Sequence, residues 1–152
     1  MATTPKDAIA LLRADHKVVD NLFKEYEAAR RVNEKQSLVK EICVQLTVHA
    51  QIEEEIFYPT VQKAIRDKEL VPEARVEHES LKALIAQIQD VTPDGEVYEA
   101  RIQVLSEYVK HHVKEEQNGL FPKVKGTRLD LVELGEQMAA RKEELLGAMQ
   151  PA

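Results

Sequence analysis

Several things are scarce in this chain. Cys43 is its only cysteine, so no internal disulfide can form, and a reducing compartment suits it. Tryptophan is absent, aromatics are few, and there are only five glycines. What remains is dominated by the helix formers Ala, Leu, Glu, Lys, Gln and Arg. There is no basic block, and the formal charge is −6, which argues against nucleic acid or an anionic membrane as the main partner. No apolar run approaches the ~20 residues needed to span a bilayer. The opening stretch MATTPKDAIALLRADH carries neither a basic n-region nor an apolar h-region, so no signal peptide is expected and the expected location is cytoplasmic. Also missing are a Gly-rich phosphate loop, a Ser-His-Asp order and a zinc-type cysteine pair. A length of 152 residues suits one domain with a sizeable core.

The patterning that is present is helical. Thr4-Pro5-Lys6-Asp7 reads as a helix start, with Thr4 as cap and Pro5 in the first position. Ile9, Leu12, His16, Val19, Phe23 and Tyr26 then recur every three or four residues, predicting a helix to about Arg31. A second stripe holds Leu38, Ile42, Leu46, His49, Glu53, Ile56 and Phe57, with Pro59 ending or kinking its helix. The segment 67–71 reads as a loop. Pro72 opens a third helix bearing Ala74, His78, Leu81, Leu84, Ile85 and Ile88. The stretch 91–95 (VTPDG) reads as a turn. A fourth helix carries Tyr98, Ile102, Leu105, Val109, His112 and Glu116 and is expected to end at Asn118-Gly119, with glycine in a left-handed cap. A last helix is expected from Gly126-Thr127, with Leu131, Leu134, Met138, Leu145 and Met149 along it. No segment alternates with period two. The expected fold is all-α: an antiparallel up-down four-helix bundle over 1–126, with a C-terminal helix, 127–152, in the same single domain.

The chain also repeats itself. His49-x-x-x-Glu53-x-x-x-Phe57-Tyr58-Pro59 matches His112-x-x-x-Glu116-x-x-x-Leu120-Phe121-Pro122 in spacing. One helix earlier, Asp15-His16 precedes His49 by 33 residues and Glu77-His78 precedes His112 by 34. Each copy of this hairpin offers one His on its first helix and His-x-x-x-Glu on its second. Residues four apart lie one turn apart on the same helix face, at a rise of ~6 Å, so each His-Glu pair can reach one site. Imidazole with carboxylate suits Fe, Zn, Mn or Cu and not Ca or Mg, which favour all-oxygen shells. A buried Glu on such a stripe costs several kcal/mol unless paired or bound to a cation. The expected metal ligands are therefore His16, His49, Glu53, His78, His112 and Glu116.

His111 lies ~100° off this register and reads as a surface residue or a neighbour of the ligands. Asp15, Glu54, Glu55, Glu77, Glu79 and Glu115 read as solvated or as partners of ligand histidines, and the pattern assigns none of them to a particular ring. Cys43 reads as core packing.

At these residues the sequence resembles the hemerythrin-like family, also called the HHE cation-binding domain. The resemblance rests on Asp15-His16, His49-Ala50-Gln51-Ile52-Glu53-Glu54, Glu77-His78 and His112-Val113-Lys114-Glu115-Glu116, and covers roughly the first 125 residues. It implies a four-helix bundle around two iron ions joined by an oxo or hydroxo group, with Zn or Mn as alternatives. It further implies the four histidines as terminal ligands and Glu53 and Glu116 as bridges. Oxygen-carrying members have a further His four residues before the position of His78, where this chain has Ala74. They also place an Asp five residues after the last His, where this chain has Glu116 four after His112.

This chain thus resembles the four-His branch. With four His shared evenly and three bridges, each metal has about five ligands and one open position of six. That favours reaction with O2, peroxide or nitric oxide, and leaves open an enzymatic role of peroxidase or catalase type. The alternative is an iron or oxygen sensor whose metal state controls folding or a protein partner, with the C-terminal helix as readout. Tyr26, Tyr58 and Tyr108 are candidates for a tyrosine near the metals.

Overall fold

The computed structural model describes residues 7–89, 91 and 95–149. Helix α1 spans Ala8–Ala28, and α2 spans Val32–Ile52. A π-helical segment, Glu53–Phe57, joins α2 to a short α3, Tyr58–Ala64. Helix α4 covers Leu70–Ile88 and α5 covers Gly95–Glu115. A second π-helical segment, Glu116–Leu120, leads into α6, Phe121–Lys125, and α7 runs Leu131–Met149. Helices α1 and α2 pack together, as do α4 and α5, and α7 lies against α1 and α2. This is the expected helical bundle with an added C-terminal helix. No described helix is long and apolar enough to cross a membrane.

The helix starts differ from their sequence expectations. Asp7, not Thr4, caps α1: its carboxylate accepts from the Ala10 amide at 2.8 Å. Thr4 and Pro5 lie outside the described residues, and α1 stops at Ala28, short of Arg31. The loop expected at 67–71 lies two residues earlier, at 65–69: α3 ends at Ala64, Asp67 accepts from the Glu69 and Leu70 amides, and α4 begins at Leu70. Most of the 91–95 turn lies outside the described residues; Gly95 itself has φ +78°, which glycine adopts at no steric cost. Helix α7 begins at Leu131, where Asp130 accepts from the Glu133 amide, and not at Gly126-Thr127.

The largest departure concerns the two prolines. Gly119 does not terminate the fourth helix, and among the described glycines only Gly95 has positive φ. The chain instead widens into π geometry and continues to Lys125. The same happens after Glu53, and the helix passes Pro59 to Ala64. Proline has no N–H to donate and its ring clashes with the carbonyl four residues back, here Glu55 and Asn118. A wider turn with i→i+5 bonding relieves that clash. Accordingly, the Tyr58 amide donates to the Glu53 carbonyl and the Phe121 amide to the Glu116 carbonyl. In a regular α-helix a residue five positions on would sit ~140° around the axis. The π turn brings Tyr58 and Phe121 back toward the face that carries Glu53 and Glu116.

The core divides in two. One apolar cluster includes Ile9, Leu12, Val48, Phe57, Val61 and Phe121. The other includes Val19, Phe23, Ile42, Leu81, Ile85 and Leu105. On α1, α4 and α5 the ligand-type residues fall in sequence between the stretches that feed these clusters, whereas His49 and Glu53 lie among Val48, Ile52 and Phe57 of the first cluster. Helix α7 closes the first cluster with Leu134, Met138 and Leu145, and Met138 is fully buried. Met138→Ala should therefore cost about 2–5 kcal/mol, as truncations of buried large side chains do. Denaturant unfolding measures this, and a cost within the ~0.5 kcal/mol of a surface change would mean that α7 packs too loosely to support the bundle.

Candidate metal centre

All six sequence-expected residues converge between the two apolar clusters. Two groups form, each with three potential donor atoms within 4.8 Å of one another: His16, His49 and Glu116, and Glu53, His78 and His112. All six are buried, Glu53 completely. Glu116 Oε1 lies 3.2 Å from His16 Nε2, and Glu116 Oε2 lies 3.5 Å from His112 Nε2. One carboxylate thus faces both groups. Glu53 does the same with Oε1, 3.2 Å from His49 Nε2 and 3.1 Å from His78 Nε2. His78 and His112 bring their Nε2 atoms to 3.2 Å.

The outer face of each ring explains the acidic neighbours. His49 Nδ1 meets Asp15 Oδ2 at 2.9 Å, His78 Nδ1 meets Glu54 Oε2 at 2.9 Å, and His112 Nδ1 meets Glu77 Oε1 at 2.8 Å. His16 Nδ1 meets the Gln117 side-chain amide at 3.2 Å. Each of these partners is adjacent in sequence to a residue of the six, yet supports an imidazole on a different helix. Asp15 on α1 serves α2, Glu54 serves α4, Glu77 on α4 serves α5, and Gln117 serves α1, so the support runs once around the bundle. Position next to a ligand was the available sequence signal, but only helix packing pairs each acceptor with its ring. Gln117 was missed because an amide does not stand out among charged neighbours.

The remaining candidates separate cleanly. Tyr58 is fully buried, and its hydroxyl donates to Glu116 Oε2 at 2.8 Å while lying 3.2 Å from His78 Nε2. Tyr26 instead donates to Glu99. Tyr108 is 48% exposed. His111 is exposed and approaches Glu77 at 3.3 Å. Glu55 pairs with Arg141 of α7, Glu79 is exposed, and Cys43 is buried in the core.

Electrostatics favour charged carboxylates and proton-binding imidazoles here. Burial opposes charge on His49, but Glu53 and Asp15 outweigh it and push its pKa up to about 10. Burial likewise opposes charge on His112, and Glu116, Glu53 and Glu77 push it up to about 12. Burial also works against the Glu53 charge, yet His49 above all holds that carboxyl well below its usual range. Burial and the two carboxylates raise Tyr58 well above its ordinary value, so its hydroxyl stays a donor.

A cation fits this donor set. His49 Nε2 and both Glu53 carboxylate oxygens are buried without a hydrogen-bond partner, a costly condition that a metal ion removes. Mixed imidazole and carboxylate donors with Nδ1–H held by carboxylates match the usual construction of transition-metal sites.

Comparison with known proteins agrees. The family model described as hemerythrin HHE cation binding domain matches residues 7–124. The chain belongs to the hemerythrin HHE cation-binding family. This HHE chain is 27% identical over 146 residues to a Mycobacterium tuberculosis protein named uncharacterized protein Rv2633c, covering 93% of this chain and 89% of that one. The crystal structure of an HHE cation-binding domain-containing protein from Mycobacterium kansasii, a homologue of Rv2633c, superposes with TM-score 0.82 at 26% identity, covering 94% of this chain and 89% of that one. A Nostoc protein named DNA nickase is 30% identical over 115 residues, 76% of this chain. This chain spans about a third of that protein's length.

The raised histidine pKa values set the sign of two pH effects. A metal held by His49 and His112 would displace their protons, so affinity should fall as pH falls, by about tenfold per unit for each proton released. Titrating the metal-free protein in weak buffer should show acid release, and none would mean that the rings bind metal already neutral. Without metal, a histidine raised from 6.5 in the fold contributes stability that is full below pH about 6.5. That contribution is lost as pH rises through about 10 and about 12. Melts of the chelated protein should therefore weaken from pH 6 toward pH 10.

Proposed function

We propose that this is a non-haem di-iron protein that binds or reacts with O2, peroxide or nitric oxide. In this reading His16 and His49 hold one iron, His78 and His112 hold the other, and Glu53 and Glu116 span the pair. The observation that carries it is Glu53, fully buried, with neither oxygen in a hydrogen bond and Oε1 within 3.2 Å of Nε2 of both His49 and His78. An iron pair with a bridging oxo or hydroxo group supplies redox chemistry and open positions for a small ligand.

The chain's own residues supply the rest. A cavity of about 30 Å³ adjoins all four imidazoles, walled by Val19, Leu46, Leu81, Ile85, Val109 and Val113. A space this size suits a diatomic or a peroxide. Its apolar wall excludes bulk water, which strengthens every electrostatic contact inside. Tyr58 holds a proton at its hydroxyl, 2.8 Å from Glu116 and next to the His78–His112 group. Ala74 is buried at the position where an oxygen carrier has a further histidine, so no fifth imidazole comes from α4.

A second reading has its own support. Lys142 on α7 donates to Asp15 at 2.5 Å, and Asp15 accepts from His49. Arg141 donates to Glu55 at 2.9 Å, two residues from Glu53. Metal occupancy at His49 is thereby connected to the C-terminal helix, as an iron or oxygen sensor acting on a protein partner requires.

Protein purified from iron-supplied cells should carry about two irons per chain with oxo-to-iron charge-transfer bands. A single zinc, or no metal, sinks the di-iron assignment. Glu53→Gln should lose most of the bound iron, and an unchanged iron content would remove Glu53 from the bridging role. For the sensor reading, iron removal should loosen α7, seen as faster amide exchange across residues 131–149, and Lys142→Met should abolish the difference between loaded and stripped protein. Equal exchange in both wild-type states rules that reading out.

A further inference from the structure

The two halves of the centre are copies of one hairpin, and the copies are not equal. Under the repeat, Asp15 corresponds to Glu77, Glu54 to Gln117, Tyr58 to Phe121, and Asp20 to Lys82. The carboxylate of Glu54 supports His78, whereas its counterpart supporting His16 is the neutral amide of Gln117. The Tyr58 hydroxyl reaches the His78–His112 group, whereas its counterpart Phe121 lays an apolar ring parallel to His16 at 6.1 Å. The first difference leaves His16 with the weaker support.

Access differs in the same direction. His16 and His49 are each 8% exposed, against 2% for His78 and 4% for His112. A groove of about 490 Å³ opens between α1 and α5 over His16, with Arg13, Lys17, Lys114 and Gln117 among its walls. The equivalent face between α2 and α4 is spanned by Lys82, which donates to Glu54 at 2.6 Å. Asp20, standing where Lys82 stands, pairs instead with Lys24 of its own helix. Gln117, the counterpart of Glu54, offers Asp20 no opposite charge, so that face stays open.

We propose that the metal held by His16 and His49 is the exchangeable one of the pair, because Gln117 replaces a supporting carboxylate beneath His16 and the α1–α5 groove exposes that side. A carboxylate that accepts the outer N–H of a ligand imidazole makes the ring a stronger donor, and loss of such a partner typically weakens metal binding 10–100-fold. An amide in either orientation carries no charge and does this less. Gln117 is thus a positioning residue that sets the difference between the two metals. It acts through His16 and touches neither ion. The inference rests on the di-iron reading above.

The test is metal release from the full-length protein, loaded with ferrous iron without oxygen and challenged with excess bathophenanthroline. Total iron is measured first. Fewer than about two irons per chain overturns the di-iron reading itself, and this inference with it. With two irons present, release should be biphasic, one iron in each phase. Gln117→Glu should slow the fast phase about tenfold and leave the slow phase unchanged. Glu77→Gln, which places an amide under His112, should quicken the slow phase about tenfold and leave the fast one alone. A single phase in the wild type overturns the inference while leaving the di-iron reading intact. So does a Gln117→Glu effect that is absent or confined to the slow phase, or a Glu77→Gln effect on the fast phase.

Discussion

Two carboxylates at the centre of a helical bundle set the terms for everything around them. Glu53 is completely buried and Glu116 nearly so. Isolated ionised carboxylates in such a place cost several kcal/mol each unless positive charge meets them. The surrounding chemistry supplies it, as four imidazoles with Nε2 turned inward and able to carry protons or present lone pairs to metal ions. Those rings must in turn be held, and Asp15, Glu54, Glu77 and Gln117 hold them by Nδ1 from the neighbouring helix. Apolar clusters above and below keep water from relaxing the arrangement.

The prolines belong to the same design. Pro59 and Pro122 would break ordinary α-helices, and the π turns that accommodate them begin at Glu53 and Glu116. A turn with one extra residue carries the next aromatic back to the site: Tyr58 in one half, Phe121 in the other. One hairpin, used twice, thereby builds a nearly symmetric pocket with two His/Glu groups. Its departures from symmetry at Gln117, Phe121 and Asp20 lie outside the donor atoms and leave the donor set unchanged.

Helix α7 adds a third part to the bundle. Its apolar face completes one of the two clusters, and its polar edge sends Arg141 and Lys142 to Glu55 and Asp15. Packing and polar contact with the surroundings of the centre thus coincide on one helix.

Spacing alone determined the fold class and the six converging residues. A helix repeats every ~3.6 residues, so His-x-x-x-Glu on an apolar stripe places both groups on one face whatever the rest of the chain does. The doubled motif, and the family resemblance it carries, were equally legible. Other features depend on distances between helices, which no local period encodes. The pairing of Asp15 with His49 and of Glu54 with His78 is one, since adjacency marks the acceptors but not their rings. The choice of Tyr58 over Tyr26 and Tyr108 is another, because the π turn that aims it rotates every later residue off the α-helical register. The passage of the fourth helix through Gly119 is a third: a glycine can end a helix, but tertiary packing decides whether it does. Gln117 shows the limit most plainly. It looks like any surface amide in the sequence, and only the fold sets it under His16.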